Sequence, residues 1–416
     1  MILLMSSCTI LNYCLIGGII LSRTTGTVVR GIRTPVVKEG DNLIDIVVTS
    51  VLESAQEDNY QLNNGDVLGV TESLLARAQG NYVSLADIAS DIKSKFNDDD
   101  IAVLFPILSR NRFLLILKAI AMSGKKIHLF LNYPSDEVGN SLIDIDLMDD
   151  LEINPYVDML TEEKYREIFG NCVTHQFTGI DYVKLYKEIA VDGNIEIYFT
   201  NNPKLALNHA KQILVANIHE RNRTKRILKK AGAEVVYGLD DLMTQPVNSS
   251  GFNSEYGLLG SNKATENTIK LFPQASNEFV TKLQEAFKEK TNKHLEVMIY
   301  GDGAFKDPKG KIWELADPVV SPGYTPGLIG TPNEIKIKYI ADNEMKSFTS
   351  EEMTQAIKNK IKDKSADLCG SEEALGTTPR QYTDLLGSLC DLTSGSGDKG
   401  TPVVLVQGYF DNYATE

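Results

Sequence analysis

The 416-residue chain carries 42 Lys and Arg against 56 Asp and Glu, a formal charge of −14, with 42% hydrophobic and 24% charged residues. This is the composition of a folded globular chain, long enough for two or three domains and for a core that needs neither disulfides nor structural metal. The acidic balance excludes a general nucleic-acid binder. The five cysteines (Cys8, Cys14, Cys172, Cys369, Cys390), none at zinc-ligand spacing, point to a reducing cytoplasm.

Residues 1–22 stand apart as an apolar extension. The run 10–21 falls short of the roughly 20 apolar residues of a membrane span and is interrupted by Asn12, Gly17 and Gly18. No Lys or Arg precedes Arg23, and no small-residue cleavage site follows. Translation from near Ser22, a signal or anchor, and a native helix all stay open. No other segment has membrane character, so no stable membrane association is expected.

Residues 27–38 begin as a strand and then meet Pro35. Asp41 or Asn42 is a natural N-cap for an amphipathic helix over 43–52. Asn64-Gly65-Asp66 marks a turn, 67–71 a buried strand, and 72–79 a helix stopped by Gly80. Further helices are expected over 85–96, 113–122, near 161–169, after Asp181, and over 206–210 and 223–231. Strands are expected over 101–104, 125–131, 195–200, 213–216 and 234–237. The alternation over 195–240 is an α/β pattern. The acidic stretch 132–170 reads as surface-lying. Beyond a Ser-, Gly- and Asn-rich loop at 246–262 come a charged helix over 276–292, a buried strand at 297–300 and a Pro- and Gly-rich stretch at 301–333. An alternating strand at 335–340, helices at 351–364 and 380–390, and a last buried strand at 403–406 complete the pattern. The chain divides into an N-terminal α/β part, 23–245, and a C-terminal α/β part, 246–416.

Four constellations carry possible chemistry. Gly301-Asp302-Gly303-Ala304 follows an apolar strand, and Glu314 and Asp317 lie close downstream. An aspartate between glycines at a strand end suits a hard divalent ion, since Mg²⁺ takes one or two carboxylates together with phosphate oxygens. The same acids also fit a solvated turn. Gly179-Ile180-Asp181 offers either a helix N-cap or a second metal carboxylate. The loop Ser394-Gly395-Ser396-Gly397-Asp398-Lys399-Gly400-Thr401 can form an anion nest with one lysine, or a linker; it is not a Walker A loop. Finally, Ser109-Arg110-Asn111-Arg112 and Asn217 to Arg223, with Arg221, place arginines at strand-to-helix junctions. There they suit phosphate or carboxylate recognition, or ordinary surface charge. Nucleophile elbows and zinc-protease motifs are absent, and no G-x-G-x-x-G stands in the strand-to-helix context of a dinucleotide fingerprint.

Arg30-Gly31-Ile32-Arg33-Thr34-Pro35, then Glu39-Gly40-Asp41, then Gly65-Asp66-Val67-Leu68-Gly69-Val70-Thr71-Glu72 resembles the opening of the coenzyme F-420-0:gamma-glutamyl ligase family, in a longer bacterial branch. Thr178-Gly179-Ile180-Asp181 and a strand ending at Asp302 continue the order. The resemblance implies a mixed α/β (α+β) fold, with mixed sheets flanked by helices in two or more subdomains. It implies an intertwined homodimer and a GTP- or ATP-dependent ligase using Mg²⁺ or Mn²⁺. Such an enzyme joins L-glutamate to a small-molecule carboxylate acceptor through an acyl-phosphate. Asp181 and Asp302 would then be catalytic metal ligands, joined by Glu314 and Asp317. Glu72, Arg77, Ser109, Arg110, Asn111, Arg112, Asn217, Arg221, Arg223, Ser396 and Lys399 would meet nucleotide or substrate. Where the short enzymes carry glutamine-lysine after the valine-threonine pair, this chain has Glu72-Ser73. Their serine-aspartate-threonine/serine-phenylalanine-glycine-arginine motif is here Gly301 to Lys306. Another metal-dependent phosphoryl-transfer enzyme and a non-catalytic nucleotide-binding relative are the competing classes.

Overall fold

A computed structural model describes residues 24–304, 312–313, 317–377, 380–394 and 397–415. In chain order the elements are β1 (Val28–Ile32), α1 (Leu43–Glu57), β2 (Val67–Thr71), α2 (Glu72–Ala78), β3 (Tyr82–Ser84) and α3 (Leu85–Lys95). Next come β4 (Asp100–Leu104), α4 (Phe113–Met122), β5 (Lys126–Leu131), α5 (Ile145–Asp150), β6 (Leu160–Thr161), α6 (Glu162–Phe169), α7 (Tyr182–Glu188), β7 (Ile195–Phe199), β8 (Gln212–Val215), α8 (Arg221–Lys230) and β9 (Val235–Gly238). The chain then runs through β10 (Asn262–Lys263), β11 (Thr268–Lys270), α9 (Ser276–Thr291), β12 (Glu296–Tyr300), β13 (Gly323–Tyr324), α10 (Ile337–Glu344), α11 (Ser350–Lys362), α12 (Tyr382–Thr393) and β14 (Val403–Gln407).

The fold is mixed α/β, built on three sheets. The first runs β1-β14-β2-β12-β13, with β2 and β12 parallel and the other pairs antiparallel. Its β2 and β12 are apolar and buried along most of their length, as a strand covered on both faces must be. Gly69 lets α12 approach β2, because a Cβ there would overlap Cys390. On the other face α1 and α9 bury Val47, Val51, Val280, Leu283 and Phe287. The second sheet is the small antiparallel β10-β11-β3.

The third sheet, β6-β7-β5-β4-β8-β9, is parallel except for β6 at its edge. From β4 the chain moves outward through β5 to β7, then returns to the other side of β4 for β8 and β9. That reversal creates a switch point between β4 and β8, where ligands of open parallel sheets bind beyond the strand ends. α4 (FLLILKAIAM) is apolar nearly all round and packs between this sheet and α3. Its Leu117 is fully buried, so replacing it with Ala costs about 2–5 kcal/mol.

The first sheet takes strands from both sides of residue 245. The chain begins this sheet, leaves it to build the parallel one, and comes back. The segment 132–170 does not merely lie on the surface: Tyr133, Leu142, Ile143 and Tyr165 enter the core, and Asp136 is buried with them. Residues 203–208 form a 3-10 turn rather than an α-helix. The strand expected at 335–340 is instead the start of α10. Its apolar residues also fit helical spacing, and Ile340 packs with Met345, Ile357 and Ile361. Among the described residues no helix is long and apolar enough to cross a membrane; residues 1–22 lie outside them.

Candidate active site

A cavity of about 1310 Å³ opens where the three sheets meet. The first sheet supplies Thr71, Glu72, Ser73 and Arg77 from the β2–α2 junction, and Tyr300, Gly301 and Asp302 from the end of β12. The small sheet contributes Asn262, Lys263, Thr265, Thr268 and Lys270. The parallel sheet contributes Ser109, Asn111 and Arg112 from the loop after β4, at its switch point.

The floor is an ion cluster. Arg112 donates from Nη1 to Asp317 Oδ1 and from Nη2 to Asp302 Oδ2, both at 2.7 Å. The Asp302 backbone N–H donates to Asp317 Oδ2 at 2.7 Å, and the Gly303 N–H to Asp391 Oδ2 at 3.2 Å. Gly301 is required at this bend, since a Cβ there would run into the Asp317 carboxylate. Burial works against the Arg112 charge, but Asp317 and Asp302 outweigh it and hold the guanidinium firmly protonated. Burial, reinforced by Asp317, raises the Asp391 carboxyl above its ordinary range.

A second pair lies at the β2–α2 junction. Glu72 is buried, and desolvation pushes its carboxyl from 4.5 up to about 7 although Lys270 and Arg112 oppose the rise. Lys270 Nζ stands 3.4 Å from Glu72 Oε2 and also donates to Ser73 Oγ. A carboxyl held near neutrality by its surroundings has the range a general base needs.

The wall from the parallel sheet is held by Asp136, whose carboxylate accepts from the N–H groups of Leu108, Val138 and Asn140 and from the Asn140 amide. Burial nevertheless raises that carboxyl to about 6. Val138 O accepts from the backbone N–H of Trp313, which also lines the cavity.

Of the residues singled out in the sequence, Glu72, Arg77, Ser109, Asn111, Arg112 and Asp302 line this cavity, and Asp317 is bonded to two of its floor groups. Arg77 also donates from Nε to Val37 O at 2.6 Å. Asp181 does not join Asp302 here. It caps α7, accepting from the Lys184 N–H, and is forked by Arg166 at 2.6 and 3.0 Å. That ion pair engages both carboxylate oxygens. Arg110 does not line the cavity. Nor do Asn217, Arg221 and Arg223: Asn217 bonds Thr224, Arg221 pairs with Asp240, and Arg223 pairs with Glu220. Lys399 is exposed and off the cavity, although Ser394 and Gly397 of its loop line it. Glu314 and Ser396 lie outside the described residues.

Sequence reading missed Lys270 and Asp391. Thr268-Ile269-Lys270-Leu271-Phe272 did carry a signal, a lysine inside a buried apolar run, which demands a partner. Asp391 sits on a helix whose acids look solvated until the fold brings it to Gly303.

The sequence profile of the F420-0:Gamma-glutamyl ligase family matches residues 31–408. The chain belongs to that family. It is therefore a ligase by class, and the matched region takes in every cavity residue named above. No protein of curated function matches the chain significantly.

For a divalent ion, the donor set in this family member is partly ready. Among the described residues no group of three His, Cys, Asp or Glu is arranged to hold a metal. Two aspartate carboxylates do converge, however, and a guanidinium already sits at the point they share, which marks it as a cation position. Two carboxylates plus phosphate oxygens are what Mg²⁺ commonly takes.

Proposed function

We propose that the protein is a nucleotide- and metal-dependent ligase that joins L-glutamate, or a similar amino acid, to the carboxylate of a small-molecule acceptor. The observation that carries this reading is the cavity floor, where Asp302, joined through Arg112 to the buried Asp317 behind it, shares one cavity with Glu72 and Lys270. Asp302 and Asp317 would hold Mg²⁺ or Mn²⁺, which when bound offsets the mutual repulsion of phosphate and carboxylate. Lys263 and Lys270 offer ammonium groups to phosphate oxygens of GTP or ATP.

The acceptor carboxylate attacks the γ-phosphorus, and the nucleoside diphosphate leaves. The amine of glutamate then attacks the acyl carbon and expels phosphate. The proton released from that amine passes to Glu72, whose raised pKa suits it to take a proton near neutral pH. Lys270 keeps the resting carboxylate oriented. No side-chain nucleophile is needed.

The test is mass-spectrometric. Purified protein is incubated with GTP or ATP, Mg²⁺ or Mn²⁺, isotope-labelled glutamate and a small-molecule extract of its host. A metabolite that gains labelled glutamate only with nucleotide establishes ligation and identifies the acceptor. Nucleotide hydrolysis with no labelled amide would reassign the site to plain phosphoryl transfer. Asp302→Asn should abolish the labelled product while leaving the circular dichroism spectrum unchanged; full activity in that variant would overturn the metal assignment.

A further inference from the structure

Arg112 reaches the floor from the parallel sheet, while both of its carboxylates belong to the region after β12 of the first sheet. The residues are 190 and 205 positions apart in the chain. Its side chain is 13% exposed, against 25% for Asp302 and 2% for Asp317, so the fork is closed from bulk water on the Asp317 side and opens to the cavity at Asp302. Arg112 is also the residue preceding the first turn of α4, and its side chain makes no capping bond there. The guanidinium is committed to the two aspartates.

A guanidinium carries one charge and faces two carboxylates, so the trio retains a net negative charge beside Glu72 and Asp391. A divalent ion would neutralise the pair fully, but an ion bridging the two carboxylates would take the position between them that the guanidinium fills, donating at 2.7 Å to Asp302 Oδ2 and to Asp317 Oδ1. Ion and guanidinium therefore exclude each other at this bridging position.

We infer that Arg112 is an internal counter-ion which holds the Asp302–Asp317 pair before loading, is displaced by the divalent cation, and then meets the anionic substrate in the cavity. It is a positioning residue that the parallel sheet lends to the ligase floor. The inference rests on the ligase reading only in requiring that a divalent ion enters here. Because the protein must break the fork before binding metal, the apparent affinity is the intrinsic affinity multiplied by the fraction of molecules in which the fork is open.

The experiment is Mn²⁺ binding to the full chain without nucleotide or acceptor, followed by electron paramagnetic resonance of free Mn²⁺ and by calorimetry. Wild type is compared with Arg112→Gln, Arg112→Lys and Arg110→Gln, each checked for fold by circular dichroism. Removal of the competitor should make Arg112→Gln bind roughly tenfold tighter than wild type. Arg112→Lys keeps the charge but replaces the planar bidentate fork with a single ammonium of shorter reach; it should also bind more tightly, and it carries the test should the glutamine variant fail to fold. Arg110→Gln removes a charge two residues away that does not line the cavity, and its affinity should stay within about twofold of wild type, because solvent and salt screen such a charge.

Equal affinity in wild type and the Arg112 variants overturns the inference and leaves the ligase reading standing. So does equal tightening in Arg110→Gln, which would show a general charge effect. No Mn²⁺ binding in any protein, while labelled glutamate is still transferred, overturns both this inference and the metal assignment but not the ligase activity.

Discussion

Replacing Glu72 with Gln should flatten the pH dependence of stability, and the size of the effect follows from its burial. The native carboxyl titrates at about 7 rather than at its ordinary 4.5. The folded state thus binds the proton more tightly than the unfolded chain. The associated stability is fully present below about pH 4.5 and is lost as pH rises through 7. The rise is worth roughly 3 kcal/mol in total, of which about 2.5 kcal/mol falls between pH 5 and pH 8. Glu72 is buried, so solvent screening takes little from this figure. Urea unfolding of wild type and Glu72→Gln at pH 5, 6, 7 and 8, followed by far-ultraviolet circular dichroism, gives the comparison. Asp136 and Asp391 titrate in both proteins, so the difference between the two curves isolates Glu72. Wild type should lose about 2.5 kcal/mol more than the variant over this range. Parallel curves would show that Lys270 holds Glu72 ionised throughout, and the general-base role would fall with them.

Asp181→Asn should cost about 2 kcal/mol of stability through the broken Arg166 fork and leave the rate of ligation unchanged; a collapse of kcat with intact fold would return Asp181 to the chemistry. Trp313 is the only tryptophan in the chain and lines the cavity, so nucleotide or acceptor binding should change its emission. Calorimetric binding with an unaltered spectrum would place the ligand elsewhere. Gly257 has φ +54°, and a Cβ there would overlap the Leu242 carbonyl, so Gly257→Ala should lower stability by about 3 kcal/mol in urea unfolding. An unchanged midpoint would contradict the backbone packing around 239–257.

Local signals carried most of the elements. The capped, amphipathic pattern at 42–52 gave α1, and the apolar run at 113–122 gave α4 with its bounds. Gly-Asp-Gly after a strand pointed to Asp302, and the arginines after β4 pointed to Arg112. What sequence could not supply was which loops meet. Gly179-Ile180-Asp181 and Gly301-Asp302-Gly303 look alike as strings, each an aspartate beside glycine. Only the third dimension gives one an arginine on its own sheet and the other an arginine from a different sheet. The cluster at 217–223 misled for a related reason. Glu137 bonds the N–H groups of Ile218, His219 and Glu220, so a side chain 81 positions upstream already occupies the anion position. Short pieces such as β3, β10 and β11 have too few residues for any period to show, and they are defined by their partners instead.

The order β1-β14-β2 has a consequence for synthesis. The strand that joins β1 to β2 is β14, residues 403–407, so β1 has no neighbour and β2 has only β12 until those residues have left the ribosome. The parallel sheet, complete at Gly238, has no such wait. The nascent protein should therefore carry a folded middle while its ends are still open, with two apolar strand edges exposed. A stalled or clipped product lacking β14 would present those edges to other chains, and aggregation during expression is the form that failure would take.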